Sequence, residues 1–228
     1  MAYRVKMTMA DGTAATLVQT EHDWKTKMAG IPSFSTCCLL NPACIARMRN
    51  GESVCAHCFS AAIQKFRQGV KLTTSQNYVT LNSQEIAVAP KVHWTTKALK
   101  INPNKLSRIE SWGDVASVLQ ALNYIKLVYE NPDCRWAAWS KNTWFWVQAF
   151  RKVGKPKNLK FIKSSLRVNE IEPLKDWEIP WVDRRFTVCT KEWLDANGLK
   201  SNCAGIRCVT CEDCYCGAAE FDALEILR

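Results

Sequence analysis

Cysteine is the residue that could do chemistry here, and its spacing says what kind. The chain has 12 cysteines, and ten of them fall in two groups. The C-terminal group is Cys203, Cys208, Cys211, Cys214 and Cys216, with a C-x2-C-x2-C core. Thiolates at this spacing converge from one tight loop onto one inorganic centre. Structural zinc sites use two C-x2-C knuckles separated by a longer arm, whereas three thiols in C-x2-C-x2-C with a fourth nearby match a [4Fe-4S] run. Cys203, Cys208, Cys211 and Cys214 are the expected ligands, with Cys216 in reserve and zinc as the alternative metal. The N-terminal group is Cys37, Cys38, Cys44, Cys55 and Cys58. It supplies a second set of four, Cys37 or Cys38 with Cys44, Cys55 and Cys58, suited to an iron–sulfur centre or a zinc knuckle. One centre drawing ligands from both groups is also open at this stage.

Bulk composition sets the context. The 228 residues are 47% hydrophobic and 23% charged, which is ordinary for a globular chain. No apolar run reaches the roughly 20 residues of a membrane span, and the first residues lack the apolar core of a signal peptide. The expected compartment is therefore a reducing cytoplasm, where cysteines serve as metal ligands rather than disulfides. The formal charge of +10 suggests an anionic partner such as nucleic acid. Lys152, Lys155, Lys157, Lys160 and Lys163 form a basic run, read first as a solvated face. Of the ten tryptophans, Trp136, Trp139, Trp144 and Trp146 are expected in the core. His22 and His93 are expected at the surface.

The elements that must position the cysteines follow from periodicity. Ala14 to Thr20 is β-prone, Asn41-Pro42 marks a turn, and Phe59 opens a helix. A further helix is expected over Asn77 to Val88. Then strand and helix alternate: a strand Ser107–Trp112, a helix Val115–Tyr129 capped by Asp114, a strand Arg135–Trp139, a helix Trp144–Lys152, a strand Asn158–Lys163, and a last strand between Trp181 and Thr190. This is the pattern of parallel βα units, which right-handed crossovers wind into an α/β fold, here a partial, open TIM-like barrel. Chemistry in such folds collects at the C-terminal ends of strands. Those ends carry Gly113 and Asp114, Ser140 to Asn142, Ser164 and Ser165, and Cys189 and Thr190.

With these motifs in place, the chain resembles the radical SAM superfamily and, within it, the phage gene product 88 family. The motifs are Thr36-Cys37, Cys58-Phe59-Ser60-Ala61, Arg108 with Ser111-Trp-Gly-Asp114, Trp139-Ser-Lys141, Asn158 to Ser165, and the C-terminal cysteine run, spread over residues 30 to 217. The resemblance implies one radical-SAM-like domain over 1–228: N-terminal strands and a cysteine loop (1–60), a βα core (107–190) and a C-terminal cysteine segment (200–217). It implies a [4Fe-4S] cluster with an open iron for S-adenosylmethionine, reductive cleavage of that cofactor, and an unknown small-molecule or macromolecular substrate. Cys55-x2-Cys58 resembles the end of the family's C-x3-C-x-Φ-C motif. The upstream spacing departs from it, because Cys44 stands at C-x10-C. Trp112-Gly113-Asp114 sits where the family places Gly-Gly-Glu, which implies that Asp114 meets the cofactor's amine. Trp112, Gly113, Ser140, Lys141, Ser164 and Ser165 are the implied cofactor-binding residues. The competing expectation is a non-catalytic metalloprotein that binds nucleic acid or a protein partner. A phage origin would place the protein in the host's cytoplasm.

Overall fold

A computed structural model describes residues 1–22, 26–203, 206–216 and 222–226. Nine strands form one open sheet: β1 Ala2–Met9, β2 Ala14–Glu21, β3 Pro32–Phe34, β4 Ile86–Val88, β5 Leu106–Ile109, β6 Arg135–Ser140, β7 Leu159–Ser164, β8 Arg184–Cys189 and β9 Ala223–Ile226. Their order is β4-β1-β2-β3-β5-β6-β7-β8-β9. Pairing is antiparallel as far as β3 and parallel from β3 to β9. The helices are α1 Pro42–Arg49, α2 Phe59–Phe66, α3 Gln68–Ser83, α4 Thr96–Ile101, α5 Val118–Tyr129, α6 Thr143–Val153, α7 Lys191–Ala196, and the single turns α8 Cys208–Cys211 and α9 Asp213–Cys216. The fold is α/β, as the alternation predicts. Among the described residues no helix is long and apolar enough to cross a membrane.

Strand periodicity divides the sheet into two faces. Ile109, Trp136, Ala138, Leu159 and Phe161 pack against Tyr124, Ile125 and Val128 of α5 and Trp146 and Phe150 of α6. The alternate residues Leu106, Ala137 and Ile162 point the other way and pack with Met28, Ile31 and Tyr215, with Trp139 and Phe186 at the border. The parallel strands run in sequential order with α5 and α6 packed on one face. The second face is left to the loops and to the cysteine segment.

Several boundaries differ from expectation for identifiable reasons. The helix expected over Asn77 to Val88 begins earlier, at Gln68, and stops at Ser83. The chain then extends into β4, whose Ile86 N–H is taken by the side chain of Asn123. Asn41-Pro42 starts α1 instead of marking a turn: the Asn41 side chain caps it, and Pro42 occupies the first turn, where a missing N–H costs nothing. The cap of α5 is Ser117, not Asp114. The carboxylate of Asp114 is drawn away by partners described below. The last expected strand shortens to β8, because Trp181 and Val182 sit in a turn packed on the helix-covered core. The short strand β9 had no signal in the periodicity.

Candidate functional site

A cavity of about 180 Å³ opens at the C-terminal ends of β5, β6 and β7. Cys38, Cys44, Cys55 and Cys58 form one wall, from the loop after β3, from α1, from the helical turn Val54–His57 and from the N-cap of α2. Trp112, Gly113 and Asp114 form the opposite wall, continued by Ser140, Lys141 and Ser164. Cys37 does not line the cavity. It is fully buried, and its thiol donates to the side-chain oxygen of Gln64 at 3.1 Å. Ser165 also stands back: it is buried behind the wall, with its N–H bonded to the Phe186 carbonyl.

Gln64 organises the thiol wall. Its buried carbonyl oxygen accepts from Cys37 Sγ, Cys38 N and Cys38 Sγ, and its amide donates to the Trp112 carbonyl at 3.2 Å. Neighbouring thiols then diverge in acidity. The neighbouring Cys38 thiol pulls the Cys58 thiol down, against the cost of burial, with help from the Ala61 N–H and the charge of Lys141. Cys38 is pushed far up as the donor in that pair. Burial pushes Cys44 up, with Asp114 adding to it. The surroundings of Cys58 thus favour the thiolate, the form that binds metal.

The opposite wall is a buried polar lattice. Asp114 Oδ1 accepts from Ser140 Oγ and from Val115 N at 2.9 Å, and Oδ2 accepts from Lys141 N at 3.0 Å and Arg47 Nη1 at 3.2 Å. Arg47 also donates to Asn142 Oδ1. One carboxylate thus ties α1, the end of β6 and the β5–α5 loop together. Gly113 is demanded by contact: a Cβ there would lie 2.4 Å from the Thr36 carbonyl oxygen and 2.9 Å from Glu110 Oε2. Glu110 itself was not foreseen. It sits one residue past β5 with φ +58 and is almost wholly buried. It accepts from Thr36 N and Oγ1, Gln120 Nε2 and Tyr124 Oη, at 2.7–3.0 Å. Burial lifts its carboxyl to about 7 although the Thr36 and Tyr124 donors favour the anion. The available signal was position alone: an acidic residue directly after strand β5. Trp112 stacks between Phe59 and His22, at 6.1 and 5.7 Å. His22 is thus half-buried, and burial holds its pKa down at about 4.

The C-terminal cysteines lie elsewhere, against the sheet face turned away from α5 and α6 and toward the starts of β5 and β6. Glu212 meets Asn104 at 2.6 Å and Arg135 at 3.8 Å there. Cys208 and Cys214 pack with Val209 and Tyr215 on Leu106, Ala137 and Ile162. Burial raises the Cys208, Cys211 and Cys214 thiols, Cys214 to about 11, and Cys203 adds to all three shifts by its charge. The four expected ligands therefore share one neighbourhood, while Cys216 is exposed. Residues 204, 205 and 217 of the expected segment lie outside the described residues.

Among the described residues, no three His, Cys, Asp or Glu side chains stand in an arrangement that would hold a metal ion. The donor chemistry of both groups nevertheless fits a thiolate-bound centre: clustered soft donors, cations beside them and, at Cys58, a thiol already acidified. Drawing the thiols together is the step that metal binding would have to supply.

The basic run does not make a free cationic stripe. Lys155 and Lys160 pair with Asp183, and Lys163 is buried against Glu178 at 2.9 Å. Trp136 and Trp146 are core, but Trp144 is half exposed, edge-on to Trp177. Comparison with protein-family models, curated proteins and solved structures returns no match.

Proposed function

We propose that the chain is an iron–sulfur protein with a radical-SAM-like, partial and open barrel, and that the cavity at the strand ends holds both a cluster and S-adenosylmethionine. The observation that carries this is the cavity itself. It sets Cys44, Cys55 and Cys58, with Cys38 beside them, against Trp112–Asp114, Ser140, Lys141 and Ser164. Cys44, Cys55 and Cys58 would hold the cluster, with Cys38 as the closing ligand of a four-thiolate alternative. When bound, such a cluster supplies the electron for reductive cleavage of the cofactor. The charge of Lys141 favours the Cys58 thiolate, and Arg47 presents a cation braced by Asp114 and Asn142. These two cations suit the carboxylate end of an amino-acid ligand. All four acceptor positions of Asp114 are filled, so it would take the ligand's ammonium only in exchange for Arg47. Trp112 brings an aromatic surface to the cavity lining, backed by Phe59 and His22. Cys203, Cys208, Cys211 and Cys214 would form a second, closed centre. The thiols require a reducing compartment, the host cytoplasm for a phage protein.

One observation favours the competing reading, a non-catalytic metalloprotein: four thiols, not three, line the cavity, and four would close a centre to ligands. Anaerobic reconstitution with iron and sulfide decides. The expected product is brown, with about four irons per cluster. It should change its electronic and electron-spin spectra on titration with S-adenosylmethionine. Zinc as sole metal after anaerobic preparation defeats the iron–sulfur reading. An iron-loaded, reduced protein that is spectrally silent at millimolar cofactor defeats the catalytic one.

A further inference from the structure

The sheet face turned away from α5 and α6 carries cations that the cavity chemistry does not use. Lys27 Nζ stands 3.7 Å from Cys203 Sγ, Arg184 Nη1 3.5 Å from Cys214 Sγ, and Arg135 Nη1 2.9 Å from Cys216 Sγ. The charge of Arg108 bears on both Cys208 and Cys214, and its guanidinium lies 3.9 Å from the Trp139 ring. Lys27 also reaches Glu225, and Arg135 also reaches Glu212. The cations come from four places in the chain, the loop before β3 and strands β5, β6 and β8, and converge on one short cysteine segment. Neutral thiols are weak acceptors and return little for desolvating guanidinium groups. Thiolates on a metal keep net negative charge and accept charge-assisted hydrogen bonds.

The segment they hold is thin. Helices α8 and α9 are four residues each, and Tyr215 is their one fully buried side chain. Tyr215 meets Trp139 edge-on at 6.0 Å, and Trp139 and Phe186 line the cavity above.

Resting on the reading that Cys203, Cys208, Cys211 and Cys214 bind metal, we propose that this centre is a metal-dependent floor of the cavity. Its net negative charge is seated on Arg108, Arg184 and Lys27, so that loading the centre and docking segment 206–216 onto the sheet are one equilibrium. Binding releases thiol protons to solvent and exchanges weak N–H···S contacts for charge-assisted ones. Arg184 and Lys27 act as positioning residues through the sulfurs, and Arg108 touches the floor and the cavity wall at once.

The test uses the full chain, loaded with zinc(II) or reconstituted with iron and sulfide, against the same protein stripped by a chelator under reducing conditions. Hydrogen exchange is read at the amides of Cys208, bonded to the Lys27 carbonyl at 2.7 Å, and of Cys211, Glu212 and Cys216. Loading should slow these amides by roughly tenfold or more while those of β6 and β7 stay unchanged. Competition with a chromophoric chelator should show Arg184→Gln weakening metal binding roughly tenfold, with Arg184→Lys recovering most of it. If Cys211→Ser loses no metal, the site and the proposal fall together. If metal is lost in that variant but the wild-type amides are equally protected with and without metal, or Arg184→Gln binds as wild type, the proposal alone falls.

Discussion

The two cysteine groups are built on opposite principles. The N-terminal group is embedded: its thiols come from the loop after β3, from α1, from the turn Val54–His57 and from the N-cap of α2, around Gln64 and facing a polar lattice whose members are nearly all buried. The C-terminal group is applied: its thiols ride on two single helical turns that the sheet holds by side-chain cations and a small apolar patch. The first has its helices and polar lattice in place before any ligand arrives, although its thiols must still be drawn together by the metal. The second has little core of its own, so its order depends on what the thiols bind. A preorganised wall suits recognition, and a metal-held segment suits support.

Cysteine replacement bears hardest on this difference. Cys58→Ser should remove the cavity metal and leave the C-terminal metal in place. Cys211→Ser should do the reverse and also lower the melting temperature, because the segment loses its ordering ligand. Metal analysis and calorimetry on both variants check this. A single substitution that emptied both centres would merge the groups into one site and end the comparison.

Gly113→Ala should be the most damaging change that touches no thiol. Its Cβ would meet backbone, the Thr36 carbonyl oxygen at 2.4 Å, which cannot swing aside. A cost of about 3 kcal/mol is expected by denaturant unfolding, from overpacking a rigid wall. C-terminal metal affinity should be unchanged. A wild-type midpoint would show that the loop from Ser111 to Asp114 is soft, and the embedded site with it.

How much of this was legible beforehand depended on the range of the determining contacts. Strands β5, β6 and β7 and helices α5 and α6 carry their own periodicity, so the α/β class and the strand ends bearing Asp114, Ser140 and Ser164 could be read directly. Strands β3, β4 and β9 are three or four residues long, and β9 exists through its pairing with β8. The choice between Cys37 and Cys38 was invisible, since adjacent residues differ only in which face the fold turns inward. Glu110 was missed because a lone acid after a strand has no motif. Its meaning comes from Thr36 and Tyr124, far off in the chain. Asp114 was taken for a helix cap because local rules cannot see Arg47 and Ser140 competing for it.

Glu110 gives the embedded site a pH signature. Its carboxyl titrates at about 7 in the fold against the usual 4.5. The folded state therefore holds a proton that the unfolded chain has released across that window. Stability is then greatest below the unfolded value and falls as pH rises toward the folded one, by about 3 kcal/mol in all. Unfolding at pH 5 and pH 8 should show the loss in the wild type, and Glu110→Gln should flatten it. A parallel pH profile in the variant would mean that another group titrates.

The smallest expected effect belongs to Asp114→Asn, which separates bracing from binding. Asn keeps one acceptor oxygen for Ser140 and the Val115 N–H. Its amide then faces two donors, Lys141 N and Arg47 Nη1, where the carboxylate accepted from both. The side chains of Arg47 and Asp114 are only 19% and 7% exposed, so solvent screens their pairing little. Losing charge-assisted bonds there should cost about 2 kcal/mol of stability. Cap loss adds nothing, because Ser117 caps α5. If Asp114 only braces Arg47, S-adenosylmethionine should bind the refolded variant with an affinity reduced no more than by Arg47→Gln, and the two substitutions together should cost little more than either alone. If its carboxylate takes the ligand's ammonium after Arg47 swings away, the double variant should lose affinity additively. Titration of the four proteins, followed by the cluster spectrum, distinguishes the two. Equal stability and equal affinity in all four would show that the lattice of Arg47, Asp114 and Ser140 is not what holds the cavity wall.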